Sequence, residues 1–459
     1  MQFEYDVAVL GGGPGGYIAA IRTAQLGSKT VLIEKEDLGG TCLNRGCIPT
    51  KALLHSAEVY HKVKTASEFG ITSGEAGFDF YRIMSRKDSV VEKLRNGIQV
   101  LIKGGGIRLE KGTGILIDKN TITIDGKRNV TANSIIIATG SKPAKISIPG
   151  SELTLSSDDV LQLKSCPESV VIIGGGVIGI EFATLFNTLG KKVTIVEMLP
   201  QILPGMDTEI AALMKKSLKK KKIDINTNAK VLKIEKTSSG ILCHFEKEGK
   251  ELITEGEICV MAVGRKPQTE EIGLENIGVN TQKGFVLADA TMRTNIGNVF
   301  AIGDITGKMQ LAHVASAQGI VAAHNVAGQK KTMQYNIIPA CIYTSPEVAS
   351  VGLTENDALA KGYKIKIGRF NIAANGKSMI LGETEGLSKI ITDEKTGEIL
   401  GAHILAAHAT DMISEISVAM KAEATIEELI DTIHPHPTVN EIIMEAAHDV
   451  EGLCCHKLK

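Results

Sequence analysis

Two cysteines with four residues between them, Cys42 and Cys47, are the side chains of this 459-residue chain best suited to chemistry. They stand in Gly39-Gly40-Thr41-Cys42-Leu43-Asn44-Arg45-Gly46-Cys47-Ile48-Pro49-Thr50-Lys51. Thiols at this spacing can close a small-loop disulfide, which opens and recloses readily beside an electron carrier. On a regular helix, positions five apart lie roughly 8–9 Å from each other, beyond the ~4.4–6.8 Å that a disulfide tolerates. The segment must therefore enter its helix irregularly, and Gly39, Gly40 and Gly46 supply the freedom. Pro49 suits a first helical turn, where its missing N–H costs nothing. Cys47 then falls at a helix N-terminus, which stabilises a thiolate. A bare C-x4-C is more often two buried structural thiols, so the neighbourhood has to decide.

That neighbourhood contains an internal repeat. Val7-Ala8-Val9-Leu10 leads into Gly11-Gly12-Gly13-Pro14-Gly15-Gly16, and Val171-Ile172-Ile173 leads into Gly174-Gly175-Gly176-Val177-Ile178-Gly179. Each is an apolar strand, a G-x-G-x-x-G turn and an amphipathic helix, followed by a second strand ending in an acid. The acids are Glu34 and Glu197, each about 20 residues beyond its glycines, as a dinucleotide-binding βαβ unit requires. The first glycine makes the tight turn, the second admits a pyrophosphate to the helix N-terminus, and the third lets helix and strand pack closely. Each acid is expected to hydrogen-bond a ribose hydroxyl. Glu197 would repel a 2′-phosphate, and Met198-Leu199 offer no arginine to bind one, so NAD is expected over NADP.

Further apolar strands end in small residues at Ser134–Gly140 and Ile258–Gly264, where chain is expected to pass between domains. Another, Asn298–Ala301, leads to Gly303-Asp304, whose carboxylate could reach ribityl or phosphate oxygens of a cofactor. Near the far end, His434-Pro435-His436-Pro437-Thr438-Val439-Asn440-Glu441 holds a candidate base. The flanking prolines favour an extended backbone at His436. Glu441 could orient the imidazole, or it could complete a capping box from Thr438 for the next helix. His434 is expected to pack or hydrogen-bond.

The bulk composition narrows the classes. The chain is 43% hydrophobic and 22% charged, enough for roughly three ordinary domains. A net charge of −1 gives no electrostatic case for nucleic acid or an anionic membrane surface. The basic run Lys215–Lys222 is expected to lie solvated at a helix C-terminus. No stretch approaches 18 consecutive apolar residues. The first strand follows the N-terminus without a leader, and eight cysteines make no secreted framework, so a cytoplasmic protein is expected.

Taken in order, the first glycine motif, C-x4-C, second glycine motif, Gly303-Asp304 and the His-Pro-Thr segment resemble the two-dinucleotide flavoprotein disulfide reductases, among them the dihydrolipoamide dehydrogenases. The resemblance spans essentially the whole chain. It implies an α/β fold of two Rossmann-like dinucleotide-binding domains, for FAD and NAD, plus a C-terminal α+β dimerisation domain. The implied layout is an FAD domain over 1–148, an NAD domain over 149–266, a central domain completing the FAD site over 267–336, and an interface domain over 337–459. FAD would meet Gly11, Gly13, Gly16, Glu34, Thr41, Lys51, Gly114, Thr139, Gly140, Asp304 and the Met309–Ala312 segment. NAD would meet Gly174, Gly176, Gly179, Glu197, Val231 and Gly264. Cys47 would face the flavin and Cys42 would exchange with substrate, while Lys51 pairs with Glu181. His436, oriented by Glu441, would serve the disulfide of the other subunit in a homodimer.

The implied activity is oxidation of a protein-bound dihydrolipoyl group with reduction of NAD⁺, the carrier belonging to a multienzyme complex. The alternatives are an NADH-dependent disulfide or mercuric-type reductase, or a non-catalytic assembly subunit. No metal site is expected. Arg45 stands where the family often has valine, and its charge could lower a nearby thiol pKa. Mercuric reductases carry a terminal cysteine pair like Cys454-Cys455, but here stray tail cysteines are expected.

Overall fold

The computed structural model describes residues 3–457. The first unit rests on a parallel sheet whose strands are apolar on both faces, as helices on either side demand. β1 (Tyr5–Leu10) lies between β2 (Thr30–Glu34) and the strand Arg128–Ile137, and Arg108–Lys111 extends the β2 edge. The last parallel strand comes from far along the chain: Val299–Ala301 pairs beside Ile135–Ile137. This sheet is therefore completed only after the second unit has been made. The turn following Ala301 brings Asp304 to the same sheet end as Gly11.

Both glycine turns have one geometry. Gly11 adopts φ +106° before α1 (Pro14–Gln25), and Gly174 adopts φ +108° before the helix Val177–Thr188. A Cβ at either would stand 2.4 Å from a carbonyl oxygen, of Ala138 and Ala262 respectively. α1 buries a face of small residues, Gly15, Gly16, Ala19 and Ala20. The helix Ala312–Val326 can therefore approach until a Cβ on Gly319 would lie 2.5 Å from the Gly15 oxygen. That close contact brings the start of the later helix to the start of α1.

The second unit is a four-stranded parallel sheet in the order Asp224–Asn226, Lys192–Val196, Ser169–Ile173, Ile258–Met261. A three-stranded antiparallel sheet over 229–256 flanks it. The third unit is a five-stranded antiparallel sheet over 340–406, with the helices Ala409–Lys421 and Glu441–Val450 packed on its apolar face. Two Rossmann-like sheets and a C-terminal α+β domain make the fold α/β, as expected.

The irregular helix entry expected at the cysteines is present. α2 (Gly40–Arg45) stops at Gly46, whose φ of −147° and ψ of −115° break the helix, and α3 (Cys47–Lys64) begins at the next residue. A Cβ at Gly46 would stand 2.9 Å from the Thr41 oxygen. The basic run departs from expectation in part. Lys220 pairs with Glu385 and the half-buried Lys221 donates to the Ser345 carbonyl, so these lysines tie the second unit to the third.

A stronger tie runs across the polar face of the C-terminal sheet. Ser350, His403, Lys389 and Arg369 are cross-strand neighbours in one row. Lys389, only 1% exposed, donates to Asp207 (3.0 Å) and Glu355 (2.7 Å). Asp207, also 1% exposed, caps the helix Thr208–Lys220 of the second unit. Burial opposes ionisation of Asp207, but the Lys389 ammonium outweighs it and holds the carboxyl below its ordinary range. Removing one partner of a buried pair strands the other charge and costs about 3–5 kcal/mol. Lys389→Met is thus expected to lower the Tm by several degrees. The depressed Asp207 value makes its contribution complete above about pH 4 and lost as pH falls further. The Tm gap between wild type and variant should accordingly narrow on acidification below about pH 4.

Candidate active site

The N-termini of α1 and Val177–Thr188, the start of α3 and the strand Ala340–Ile342 converge on one cavity of about 1720 Å³. It exceeds the roughly 300–1,000 Å³ of an ordinary ligand pocket. Cys42, Cys47, Lys51, Glu181, Gly11, Gly13, Glu34, Thr41, Gly114, Thr139, Gly140, Asp304 and Ala312 line it. So do Gly174, Gly176, Glu197, Val231 and Gly264, so both glycine turns open into the same space. Gly16 and Gly179 do not line it. A Cβ there would stand 1.8 and 2.1 Å from the oxygens of Gly11 and Gly174, so these glycines serve helix–strand packing. Met309 is not part of the lining either, whereas Gln310, Leu311 and His313 are.

The turns suit dinucleotides by shape as well as by pattern. Nothing lies within 4 Å of a Cβ position on Gly176, and only the Gly40 Cα, at 3.9 Å, approaches that of Gly13. Open space thus fronts each helix N-terminus, where backbone N–H groups and the helix dipole favour phosphate. The acids brace the turns. Glu34 accepts from the N–H of Gly12 (2.6 Å) and of Glu36 (2.7 Å). Glu197 repeats this with Gly175 (2.5 Å) and Leu199 (2.7 Å).

Cys42 and Cys47 are free thiols in hydrogen-bond contact. Cys47 is open to the cavity yet crowded by its walls. The hydrogen bond from Cys42 lowers its pKa, burial opposes this, and the Lys51 charge lowers it further, to about 7. Cys42 is pushed the other way by the same hydrogen bond and by burial. The helix N-terminus at Cys47 acts in the same direction as Lys51. One turn on, Lys51 Nζ lies 2.7 Å from both carboxylate oxygens of Glu181, which is 4% exposed. Arg45 spends its charge elsewhere, on Glu36 and, at 4.0 Å, Asp158. Arg45 thus pairs with carboxylates, while Lys51 is the cation that lowers the Cys47 pKa.

His436 and Glu441 are not brought to this cavity. His436 is 77% exposed on the C-terminal domain, with Nδ1 2.8 Å from Glu441 Oε1. Nε2 makes no hydrogen bond to any other described residue. The His436–Pro437 bond is cis. Glu441 does two jobs with two oxygens, since Oε2 accepts the Thr438 N–H (3.0 Å). The capping box is incomplete because the helix begins at Glu441 with Asn440 as its N-cap, so Thr438 lies outside the cap and its hydroxyl donates to the Pro435 carbonyl. His434 bonds Glu415 (2.9 Å) and the Thr432 carbonyl, as expected of a packing residue.

Two lining residues had no signal in the sequence. Arg265 is nearly buried and donates to the Ser141 hydroxyl (2.7 Å), the Ser141 carbonyl (2.7 Å) and Thr41 (3.3 Å). Ser141 in turn donates to Asp304 (2.5 Å). Tyr343 comes from the third unit and touches the Lys51–Glu181 pair. Neither belongs to a glycine or cysteine pattern, and only folding brings them in. With both groups mapped, alkylation rates of the reduced protein should titrate Cys47 with a midpoint about 7. Lys51→Met is expected to raise that midpoint by about one unit or more, and Arg45→Val to leave it in place.

Comparison with known proteins agrees with this arrangement. Residues 5–319 match the family described as Pyridine nucleotide-disulphide oxidoreductase, and 338–447 match its dimerisation domain. A dihydrolipoyl dehydrogenase of Bacillus subtilis (strain 168) is 44% identical, with 99% of this chain and 100% of the relative covered. Another, from Chlamydia muridarum, is 43% identical over 97% of each. Among solved structures, the HOCl-induced flavoprotein disulfide reductase RclA from Escherichia coli superposes with a TM-score of 0.87. It is 29% identical, over 98% of this chain and 100% of that one. Matched along nearly all of its length, the chain belongs to the pyridine nucleotide-disulphide oxidoreductase family.

Proposed function

We propose that the protein oxidises protein-bound dihydrolipoamide to lipoamide and reduces NAD⁺, as its dihydrolipoyl dehydrogenase relatives are named for doing. The observation that carries this reading is the Cys42–Cys47 pair inside a cavity shared by two dinucleotide turns. FAD and NAD are the cofactors, FAD on the Gly11 turn with Glu34 and Asp304, NAD on the Gly174 turn with Glu197. When bound, FAD supplies a two-electron relay between the cysteine pair and NAD⁺.

The remaining chemistry belongs to side chains. A thiol at pH 7 is a weak nucleophile, so Nε2 of His436 of the partner subunit takes its proton. The substrate thiolate attacks Cys42 Sγ of the oxidised pair, the Cys42–Cys47 bond breaks, and Cys47 leaves as a thiolate. Its low pKa makes it a good leaving group. The second substrate thiol, deprotonated in turn, displaces Cys42 and closes the lipoyl disulfide. Both cysteines end reduced, and Lys51 balances the Cys47 charge.

An exposed imidazole on a dimerisation domain supports the trans arrangement. The partners are a second copy of the chain and a lipoyl-bearing carrier. Among the described residues, no helix is long and apolar enough to cross a membrane.

Purified protein is expected to reduce NAD⁺ with dihydrolipoamide and to leave NADP⁺ largely unused. His436→Gln should lower kcat by about 10²–10⁴-fold. Cys42→Ser should abolish turnover. Mixed dimers of a Cys42→Ser chain and a His436→Gln chain should regain one working site, about half the activity of a wild-type dimer. Flavin-replete protein that oxidises no dithiol would reject the substrate assignment.

A further inference from the structure

Tyr343 holds a place in the cavity that neither the glycine turns nor the cysteine pair accounts for. It follows the strand Ala340–Ile342 at the edge of the C-terminal sheet, so it is the third unit's contribution to this wall. Its ring centroid lies 4.7 Å from Lys51 Nζ, and its backbone N–H donates to Glu181 Oε1 at 3.1 Å. One residue therefore meets both members of an ion pair whose partners come from the other two units. The two contacts differ in kind. The backbone N–H fixes Glu181 whatever the side chain is, while the ring face attracts the ammonium through its quadrupole.

Lys51 has room to move. Its side chain is 27% exposed, and an alkylammonium on four methylenes has many rotamers. Glu181 alone holds the ammonium by point-charge attraction, which any of several rotamers could satisfy. The ring adds a second contact from the opposite domain. We propose that Tyr343 is a positioning residue whose ring keeps the Lys51 ammonium where it stabilises the Cys47 thiolate. Through it the C-terminal domain acts on the redox pair of its own subunit.

The charges around the two groups are few enough to name. Cys47 faces Cys42, Lys51, Glu181 and Arg265. Tyr343 faces Lys51 across its ring and Cys341, Glu347, Glu181 and Asp411 around it; burial first and then the last four push its phenol up to about 12, so it stays neutral across the working range. A neutral ring, unlike a charged substituent, can be removed without adding or deleting a formal charge beside the thiols.

The test compares Tyr343→Leu, which removes the ring, with Tyr343→Phe, which removes only the hydroxyl, in the FAD-loaded dimer. The first readout is the pH dependence of Cys47 alkylation in the reduced protein, which involves no lipoyl substrate. A ring contact of ordinary strength corresponds to about half a pH unit. Tyr343→Leu is expected to raise the midpoint by about that much, and Tyr343→Phe to restore it. The second readout is steady-state turnover, where Tyr343→Leu should lower kcat about two- to fivefold with little change in KM for NAD⁺. An unmoved thiol titration in Tyr343→Leu, or equal shifts in both variants, would overturn the proposal. This inference rests on the redox reading of Cys42 and Cys47, yet the titration can succeed or fail independently of which dithiol the enzyme accepts.

Discussion

Most of the molecule can be understood from the burial of one carboxylate. Glu181 sits inside the second unit, on a helix that is apolar nearly all round. An ionised carboxylate there is costly unless a cation and further donors meet it. Lys51 arrives from the first unit and the Tyr343 N–H from the third, so satisfying Glu181 requires all three units in fixed relative positions. The same cation stands one turn from Cys47. The constraint that locks the domains together thus also places a cation beside Cys47.

The two dinucleotide turns depend on a second constraint, the absence of side chains. Each turn folds back until its first glycine all but touches the next crossover strand, and each third glycine lets the helix settle on the turn. What remains open is the space in front of the helix N-termini. Because both turns face one cavity, electron carriers bound to them would be close without any long-range transfer. The closing strand, Val299–Ala301, pins Asp304 to the first turn from about 290 residues away in sequence, and Arg265 with Ser141 bridges it to Thr41.

The third unit contributes twice and in two directions. Through Tyr343 it completes the wall of its own subunit's cavity. Through His436, held by Glu441 at its surface, it presents an exposed imidazole. Between these, the row Ser350, His403, Lys389 and Arg369 clamps the second unit by charge and hydrogen bonding, with the buried Lys389 at its centre.

Much of the site was legible before folding was considered, for a local reason. Glycine turns, their acids, the interrupted helix at Gly46 and the His436–Glu441 pair are each encoded within about 25 consecutive residues, because backbone sterics and helix ends act over short distances. The sequence also marked Glu34 and Glu197, although it did not show that both brace their own turns. Other features were decided only in three dimensions. Nothing near Lys215–Lys222 announces Glu385 or Ser345, and nothing near Arg265 announces Thr41. Which carboxylates Arg45 and Lys51 reach, Glu36 and Asp158 for the one and Glu181 for the other, is likewise decided only in three dimensions. These are pairings between residues far apart in the chain, chosen by how charges must be satisfied once burial has removed water. Local pattern determined which parts exist; the cost of burying Glu181, Asp207 and Lys389 determined how they meet.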